Sequence, residues 1–310
     1  MYTTKYTFCA ALFLIATFFG TILLALAETM GDVIVYSSGE GSITQVLSVD
    51  LRTHQNVPLV KTDNPLAPAW SPDGCQIAYH TRSGAAPGEL RLLSFAEGQP
   101  VTIYDQSVGS FGPSEPDWSP DGSQLVFVGG DLSLYTLRLS DAATNKITVR
   151  RQNASSPDWS PDGDQIVFQG LSTSFNSNGE QNRAAEISTI SAQGMDLRDL
   201  TNNHEPDTDP VWSPDGTRIA FVSKRDRQSA DIFIMSADGT SVRHIVQAGQ
   251  EADLSWSPDG TRLAFALDIN GGWNLYMMDV DGTGLEQVTY DQPPAYSREP
   301  DWQPQPCNRK

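Results

Sequence analysis

The sequence predicts an all-β fold, a six-bladed β-propeller of four-stranded antiparallel blades. A repeat carries this prediction: the pentapeptide WSPDG occurs five times, and a sixth copy is reduced to Trp-Gln-Pro-Gln near the chain end. The copies lie 41–53 residues apart, a period typical of propellers and solenoids. The repeated tryptophans are Trp70, Trp118, Trp159, Trp212, Trp256 and Trp302.

Each copy predicts a hairpin followed by two further strands. In Ser-Pro-Asp-Gly, proline fixes φ, aspartate bonds local backbone and glycine accepts a positive φ. In the fourth copy, Ile219–Phe221 then reads as the second strand, Ile232–Met235 as the third and His244–Val246 as the fourth. No helical periodicity interrupts this pattern, which is that of a propeller blade. We expect the six tryptophans to pack between neighbouring blades, and we assign them no chemistry.

The reduced sixth copy indicates how the ring closes. Only eight residues follow Trp302, too few for three more strands. Ile34–Tyr36 is a copy of the post-turn triplet without a preceding WSPDG, and Val46–Val49 and Pro58–Val60 supply two further strands. We therefore predict a last blade that combines Glu299–Gln303 with strands from residues 32–62, which removes both sheet edges.

The repeat, of the WD-like type, resembles the six-bladed propeller of TolB-like proteins. Pro210–Phe221 (PVWSPDGTRIAF) is nearly a complete match, and the resemblance covers residues 32–303. It implies a periplasmic protein, since TolB binds a peptidoglycan-associated lipoprotein in the Tol envelope system; similar propellers gate prolyl-oligopeptidase-type enzymes. TolB carries an α/β domain before its propeller, for which residues 28–32 leave no room. The peptidases carry a hydrolase domain after the propeller, whereas this sequence stops at Lys310. We therefore expect residues 28–310 to form one propeller domain.

The first 27 residues predict export. Lys5 is their only charged side chain, and Ala25–Ala27 fits a signal-peptide cleavage site. The alternative is an uncleaved anchor, because residues 8–27 are long enough to span a bilayer. Export places the protein in the periplasm or outside the cell.

Two cysteines, Cys75 and Cys307, remain after cleavage, and oxidising compartments permit a disulfide between them. Each cysteine follows its repeat tryptophan by five residues, in blades that become neighbours when the ring closes. We predict that bond; the alternative is two unconnected thiols.

Charge excludes some partners. The net charge of −18 becomes −19 once the segment carrying Lys5 is removed. Such acidity argues against nucleic acid or an anionic membrane as the partner and permits cations or a basic polypeptide. The alternative is that acidity serves only solubility.

Acidic residues recur three positions and one position before the tryptophans. Blade connectivity places the tight turns on one face and the longer loops, Leu171–Ala185 the longest, on the other, where binding usually resides. We expect the acids to gather on that face at the mouth of the central channel, where a cation, a basic ligand, raised pKa values or water must relieve their repulsion. Alternatively, they cap turns and face bulk solvent. The candidate site residues are Glu115, Asp117, Asp158, Asp209, Asp253, Glu299 and Asp301.

No G-x-S-x-G, H-E-x-x-H, phosphate loop or zinc-spaced cysteine pair is present. We therefore interpret the chain as an exported, monomeric, non-enzymatic binding or scaffold protein that engages a peptide, an envelope protein or a polymer through its loop-rich face. One alternative is a propeller enzyme, such as a lyase, lactonase or glycan hydrolase, with its active site at the channel mouth. Another is a structural module of an envelope assembly. If the acids hold a metal, calcium is favoured, because it accepts carboxylate and carbonyl oxygens in irregular geometry.

Overall fold

The computed structural model describes residues 32–307, apart from 83–87, 106–111, 148–151, 176–180, 204, 226–228, 247–249 and 270. The predicted signal peptide, residues 1–27, lies outside the described residues and stays a prediction. Within the described ranges, no helix is long and apolar enough to cross a bilayer.

In the described part of the chain, 24 strands form six four-stranded antiparallel sheets, the blades of a propeller. Blades 1 to 3 contain β1 (Val33–Glu40), β2 (Ile43–Asp50), β3 (Gln55–Val60) and β24 (Ala295–Trp302); β4 (Pro65–Trp70), β5 (Gln76–Thr81), β6 (Leu90–Ser94) and β7 (Pro100–Tyr104); and β8 (Ser114–Trp118), β9 (Gln124–Val128), β10 (Leu134–Arg138) and β11 (Thr144–Lys146). Blades 4 to 6 contain β12 (Gln152–Trp159), β13 (Gln165–Phe175), β14 (Gln181–Ser191) and β15 (Arg198–Asp199); β16 (Asp207–Trp212), β17 (Arg218–Ser223), β18 (Asp231–Ser236) and β19 (Arg243–Val246); and β20 (Gln250–Trp256), β21 (Arg262–Ile269), β22 (Gly272–Asp279) and β23 (Glu286–Gln287).

The predicted closure of the ring is confirmed. Strand β24, from the C-terminal end of the chain, pairs antiparallel with β1 and completes blade 1. Ile34 lies opposite Trp302, as Ile77 lies opposite Trp70 in blade 2. The post-turn triplet without its own WSPDG is therefore the second strand of a blade whose first strand comes from the other end of the chain.

The core consists of layers between the blades. Six clusters of buried apolar side chains lie one at each blade interface. Successive residues of a strand point to opposite sides, so Val35 packs toward blade 2 while Ile34 and Tyr36 pack toward blade 6. Each repeat tryptophan belongs to the layer between its own blade and the preceding one, and Trp212, for example, packs with Val167 of blade 4.

Blades 1 and 2 are also joined covalently, at the face that carries the tight turns. Cys75 and Cys307 form a disulfide with their Cα atoms 4.7 Å apart. Beside it, Gln303 Nε2 donates to the carbonyl of Gly74 at 3.2 Å and Gln305 Nε2 donates to that of Pro72 at 2.7 Å. The chain terminus is thus fastened to the first WSPDG turn by one covalent bond and two hydrogen bonds.

The expected long loop Leu171–Ala185 is wrong for most of its length. Strands β13 and β14 continue as a ladder from Leu171 opposite Ala185 to Phe175 opposite Gln181, and only residues 176–180 lie outside the described part. The widest spacing between repeat tryptophans, from Trp159 to Trp212, contains this segment and suggested a long loop. The extra residues instead lengthen the hairpin, because an existing ladder supplies backbone partners for every added pair.

Candidate functional site

The WSPDG turns saturate their aspartates with hydrogen bonds. In the copy at Trp212, Asp215 Oδ1 accepts from Ser213 Oγ at 2.6 Å and from the backbone N–H of Thr217 at 3.0 Å. Gly216 closes the turn by donating to the Ser213 carbonyl and has a φ of 68°. The Ser213 bond, followed by that of Thr217, lowers the pKa of Asp215 to about 2. The exposed Asp215 carboxylate is therefore ionised and already has donors.

Along the same strands the chain lines a central cavity of about 360 Å³, which extends as far as the turn prolines Pro214, Pro258 and Pro304. The six innermost strands β4, β8, β12, β16, β20 and β24 surround it. All seven predicted site residues are on its wall, together with the uncharged residues at the equivalent positions of the other blades. We call the residues three before each tryptophan the mouth ring: Ala67, Glu115, Ser156, Asp209, Asp253 and Glu299. We call those one before it the inner ring: Ala69, Asp117, Asp158, Val211, Ser255 and Asp301.

A β-bulge in every innermost strand positions the mouth ring. The register against the second strand shifts at this point in all six blades, for example between Thr208 and Val211 in blade 5. All six mouth-ring residues have a positive φ, between 46° and 54°. A bulge takes a backbone N–H out of the ladder, so this N–H needs another acceptor.

Side chains of the preceding blade supply that acceptor. Glu115 Oε2 accepts from the N–H of Ser156 at 2.6 Å, and Glu299 Oε2 accepts from that of Ala67 at 2.7 Å. Each mouth-ring carboxylate thereby joins two blades. Ala67 has no carboxylate to offer the N–H of Glu115, which instead lies 3.4 Å from His80 Nδ1. Burial, with the charge of Arg82, lowers the pKa of His80 to about 3, so its ring is neutral and can accept.

The inner ring joins blades in a second way. A carboxylate or hydroxyl oxygen of one blade accepts the backbone N–H of the next blade's repeat tryptophan. The pairs are Asp117 with Trp159 (2.8 Å), Asp158 with Trp212 (2.6 Å), Ser255 with Trp302 (3.0 Å) and Asp301 with Trp70 (2.6 Å).

Where the inner ring carries an apolar residue, the tryptophan side chain makes the connection. The indole N–H of Trp118 donates to the carbonyl of Ala69 at 3.0 Å, and that of Trp256 donates to the carbonyl of Val211 at 3.2 Å. We assigned the tryptophans no chemistry beyond packing; these two also tie neighbouring blades together.

The cavity raises the pKa values of its carboxyl groups. Burial, opposed by the hydrogen bond from Ser156 and assisted by the charge of Asp209, raises the pKa of Glu115 to about 7. Burial and the charge of Asp253 raise the pKa of Asp209 to about 6. In the inner ring, burial raises the pKa of Asp117 and of Asp301 to about 7. These groups are partly protonated at neutral pH, which relieves their mutual repulsion.

Comparisons with known proteins agree with this architecture. A family model described as the TolB beta propeller domain matches residues 66–174. The Tol-Pal system protein TolB of Francisella tularensis subsp. tularensis (strain WY96-3418) is 27% identical over 259 residues, covering 81% of this chain and 57% of that protein. The crystal structure of TolB from Acinetobacter baumannii matches with a TM-score of 0.73 and 21% identity, over 88% of this chain and 66% of that one. The chain is a six-bladed β-propeller that resembles the propeller of TolB.

A second curated relative matches over a shorter length. The uncharacterized peptidase YuxL of Bacillus subtilis (strain 168) is 42% identical over 45 residues, which are 14% of this chain and 7% of that protein. The chain thus spans between 7% and about half of the length of these two curated relatives.

Sequence reasoning missed the cation beside the mouth of the TolB-like propeller. Arg298 Nε donates to Asp253 Oδ2 at 2.9 Å, and its guanidinium lies 4.4 Å from the ring centroid of Trp273. Burial raises the pKa of Asp253, and the charge of Arg298 opposes the rise. Arg298 directly precedes Glu299, so its place beside a mouth-ring residue could have been predicted from the sequence.

The calcium expectation stays a prediction. Within the described residues, no set of three or more histidine, cysteine, aspartate or glutamate side chains stands together as metal ligands. The mouth-ring carboxylates accept N–H groups of neighbouring blades, which spreads them around the wall of the cavity.

A further buried polar cluster, also missed, fixes the connection between blades 4 and 5. Glu186 is 1% exposed and accepts from the Thr201 hydroxyl at 2.7 Å and the Asn203 N–H at 2.9 Å. Asp207, fully buried, accepts from Asn203 Nδ2 at 2.6 Å and from Arg225 Nη2 at 2.8 Å. Burial raises the pKa of Glu186 to about 7.

Proposed function

We propose that this protein is an exported, non-enzymatic binding protein of the cell envelope that receives a basic segment of a protein partner at its central cavity. The segment enters from the loop-rich face and meets the mouth ring first. The partner is a polypeptide rich in lysine or arginine.

The observation that carries the proposal is the set of seven carboxyl groups around one cavity. Among the described residues, no lysine or arginine lines this cavity, and Arg298 stands beside Asp253 at its mouth. The pKa values near 7 of Glu115 and Asp301 mean that a cation placed near them favours their ionised forms. A basic segment therefore relieves the repulsion that protonation relieves in the free protein.

Three observations support export and an envelope role. The first 27 residues have the pattern of a signal peptide, and the disulfide between Cys75 and Cys307 suits an oxidising compartment. The Francisella relative is named for the Tol-Pal system. That relative is longer than this chain, so the assignment of a similar partner here belongs to the proposal.

The alternative of a propeller enzyme has no particular residue in its favour. The match to a peptidase extends over 45 residues, 7% of that protein, which is too short to carry an activity to this chain. Incubation with a panel of glycans, lactones and peptides tests this point, and turnover that disappears on mutation of the mouth ring would establish an enzyme.

Calorimetry of the mature protein with a lysine- and arginine-rich peptide of about ten residues tests the binding proposal. Asp209→Asn with Asp253→Asn should weaken binding by about tenfold or more, because two carboxylates at the mouth are lost while their shape is kept. The matched control, Asp121→Asn with Asp259→Asn, removes the same charge from exposed turns that line neither cavity and should change affinity less than twofold. Equal losses from both pairs would mean that overall acidity attracts the peptide, and the site would be rejected. The same titration with calcium tests whether the mouth prefers a metal ion.

A further inference from the structure

A second cavity, of about 520 Å³, opens between blades 4 and 5 on the turn face, at the opposite end from the channel mouth. Trp212 forms part of its wall, and the WSPDG turns of both blades contribute. We call it the blade 4–5 crevice. Its lining residues are Ser160, Pro161, Asp162, Gln165, Thr189, Asp196, Arg198, Trp212, Asp215, Gly216, Ala237 and Asp238.

The neighbouring interfaces show which group covers a repeat tryptophan. Between blades 5 and 6, the guanidinium of Arg218 lies 4.9 Å from the ring centroid of Trp256, and its Nη2 donates to the carbonyl of Gly260 at 3.2 Å. Between blades 6 and 1, Arg262 lies 5.4 Å from the ring centroid of Trp302. Both arginines stand six residues after the tryptophan of the preceding blade. At these distances a guanidinium is attracted by the π-face of indole.

Blades 2, 3 and 4 carry glutamine at this position, as Gln76, Gln124 and Gln165. Gln165, six residues after Trp159, lines the crevice together with Trp212. Both interfaces also have an arginine of the fourth strand that bonds to the next blade: Arg198 Nη2 donates to the Asp238 carbonyl at 2.8 Å, and Arg243 Nη2 donates to the Val280 carbonyl at 2.9 Å. At the position six residues after the tryptophan, the blade 4–5 interface lacks the cation that covers Trp256 at the blade 5–6 interface.

Charge in the crevice favours a cation. Four carboxylates, those of Asp162, Asp196, Asp215 and Asp238, line it with the single guanidinium of Arg198. Trp212 is 9% exposed and forms part of the crevice wall, so part of its ring is open to an incoming guanidinium.

We propose that the blade 4–5 crevice is a docking site for an arginine side chain of a partner polypeptide, whose guanidinium stacks on Trp212 as Arg218 stacks on Trp256. The site lies on the face opposite the channel mouth, so it gives the propeller a second binding surface that does not depend on the first. Arginine is preferred over lysine because its planar guanidinium both stacks and donates in several directions.

The test follows the indole N–H signals of the full mature protein by NMR during titration with the peptide acetyl-Gly-Arg-Gly-amide. Trp212→Phe identifies the Trp212 signal by its loss. We expect this signal to shift saturably, and the lysine peptide to bind several-fold more weakly. Gln165→Arg supplies the missing guanidinium from within the chain, so it should reduce peptide affinity at least tenfold. Gln165→Glu adds a carboxylate and should raise affinity.

Gln124→Arg is the matched control, because Gln124 holds the equivalent position before Trp159 at the blade 3–4 interface. It should leave the titration unchanged. A titration that does not move the Trp212 signal would overturn the proposal, and so would one that survives unchanged in Gln165→Arg. Asp209→Asn with Asp253→Asn should not affect this titration, which separates the crevice from the channel mouth.

Discussion

Asp209 and Asp215 stand three residues before and three residues after Trp212, yet the structure gives their carboxyl groups opposite properties. Asp215, exposed in its turn, has a pKa lowered to about 2 by donors from Ser213 and Thr217. Asp209, on the cavity wall, has a pKa raised to about 6 by burial and the charge of Asp253. Residue type and distance from the motif are the same, so only the surroundings account for the difference.

The two sets of acids affect stability in opposite directions with pH. A carboxyl group whose folded pKa is raised binds protons more tightly when folded, so its contribution to stability falls as pH rises from about 4 to 7. A group whose folded pKa is lowered contributes stability above the unfolded pKa and loses it as pH falls from about 4 to 2. At neutral pH the ionised turn acids therefore add to the stability of the fold. Ionisation of the cavity acids reduces that stability and leaves negative charge that a cation could bind.

The largest effect should come from the turn end of the ring closure. Replacement of Cys75 and Cys307 with serine opens a loop of 232 residues. The loop-entropy relation predicts a loss on the order of 5 kcal/mol in the free energy of unfolding, measured by urea denaturation. A loss below about 1 kcal/mol would show that the hydrogen bonds of Gln303, Gln305 and Asp301 suffice to close the ring.

At the cavity end of the same closure, Asp301→Ala should cost about 2–3 kcal/mol. The substitution leaves the backbone N–H of Trp70, which donates to Asp301 at 2.6 Å, buried without an acceptor. Asp301→Asn keeps an oxygen in place and should cost less than about 1 kcal/mol. The turn-face counterpart Asp259→Ala should also cost less than about 1 kcal/mol, because water can reach its donors. Equal losses from both alanine variants would contradict this contrast.

The stability of the wild-type protein should be highest near pH 4. Between pH 4 and 7 the free energy of unfolding should fall, by up to about 3–4 kcal/mol for each cavity acid whose pKa is raised to about 7, since each pKa unit corresponds to about 1.4 kcal/mol. Urea denaturation across this range measures the slope. A profile that rises toward pH 7 would mean that the cavity acids are ionised at ordinary pKa values.

The smallest effect compares the two aspartates that flank Trp212. At pH 7, Asp209→Asn should stabilise the fold by about 1 kcal/mol, because it removes a carboxyl group that is costly to ionise. Asp215→Asn should destabilise it by less than about 1 kcal/mol, because the turn loses an ionised acceptor. Thermal unfolding at pH 4 and pH 7 measures whether each variant is more or less stable than the wild type. Changes of both variants in the same direction would contradict the contrast between Asp209 and Asp215.

Much of the fold could be predicted from the sequence because WSPDG determines a turn and the strands beside it. Six copies gave the blade number, and the reduced copy at Trp302 gave the closure that β24 and β1 make. The loop Leu171–Ala185 was wrong because extra residues between two strands can either form a loop or lengthen the hairpin, and only the pairing partner decides between them.

The positions of the site acids could also be predicted, since their distance from each tryptophan is constant. Their hydrogen bonds and pKa values could not be predicted. Arg298, the neutral His80 and the N–H of Ser156 meet these acids from other strands and blades, and such neighbours have no fixed separation in sequence. Nor could the blade 4–5 crevice be expected before Arg218 and Trp256 were seen to touch across an interface.

The positive φ of the six mouth-ring residues restricts what evolution or design can place there. A left-handed backbone is costly for β-branched and bulky side chains and is tolerated best by small or short polar ones. Valine, isoleucine and threonine are thus disfavoured at every position around the opening, whereas serine, asparagine and aspartate can be exchanged at little backbone cost. Substitution of one mouth-ring residue can therefore change the charge of the opening one blade at a time, while its width stays nearly constant. Such substitutions could change which charged ligands the opening accepts.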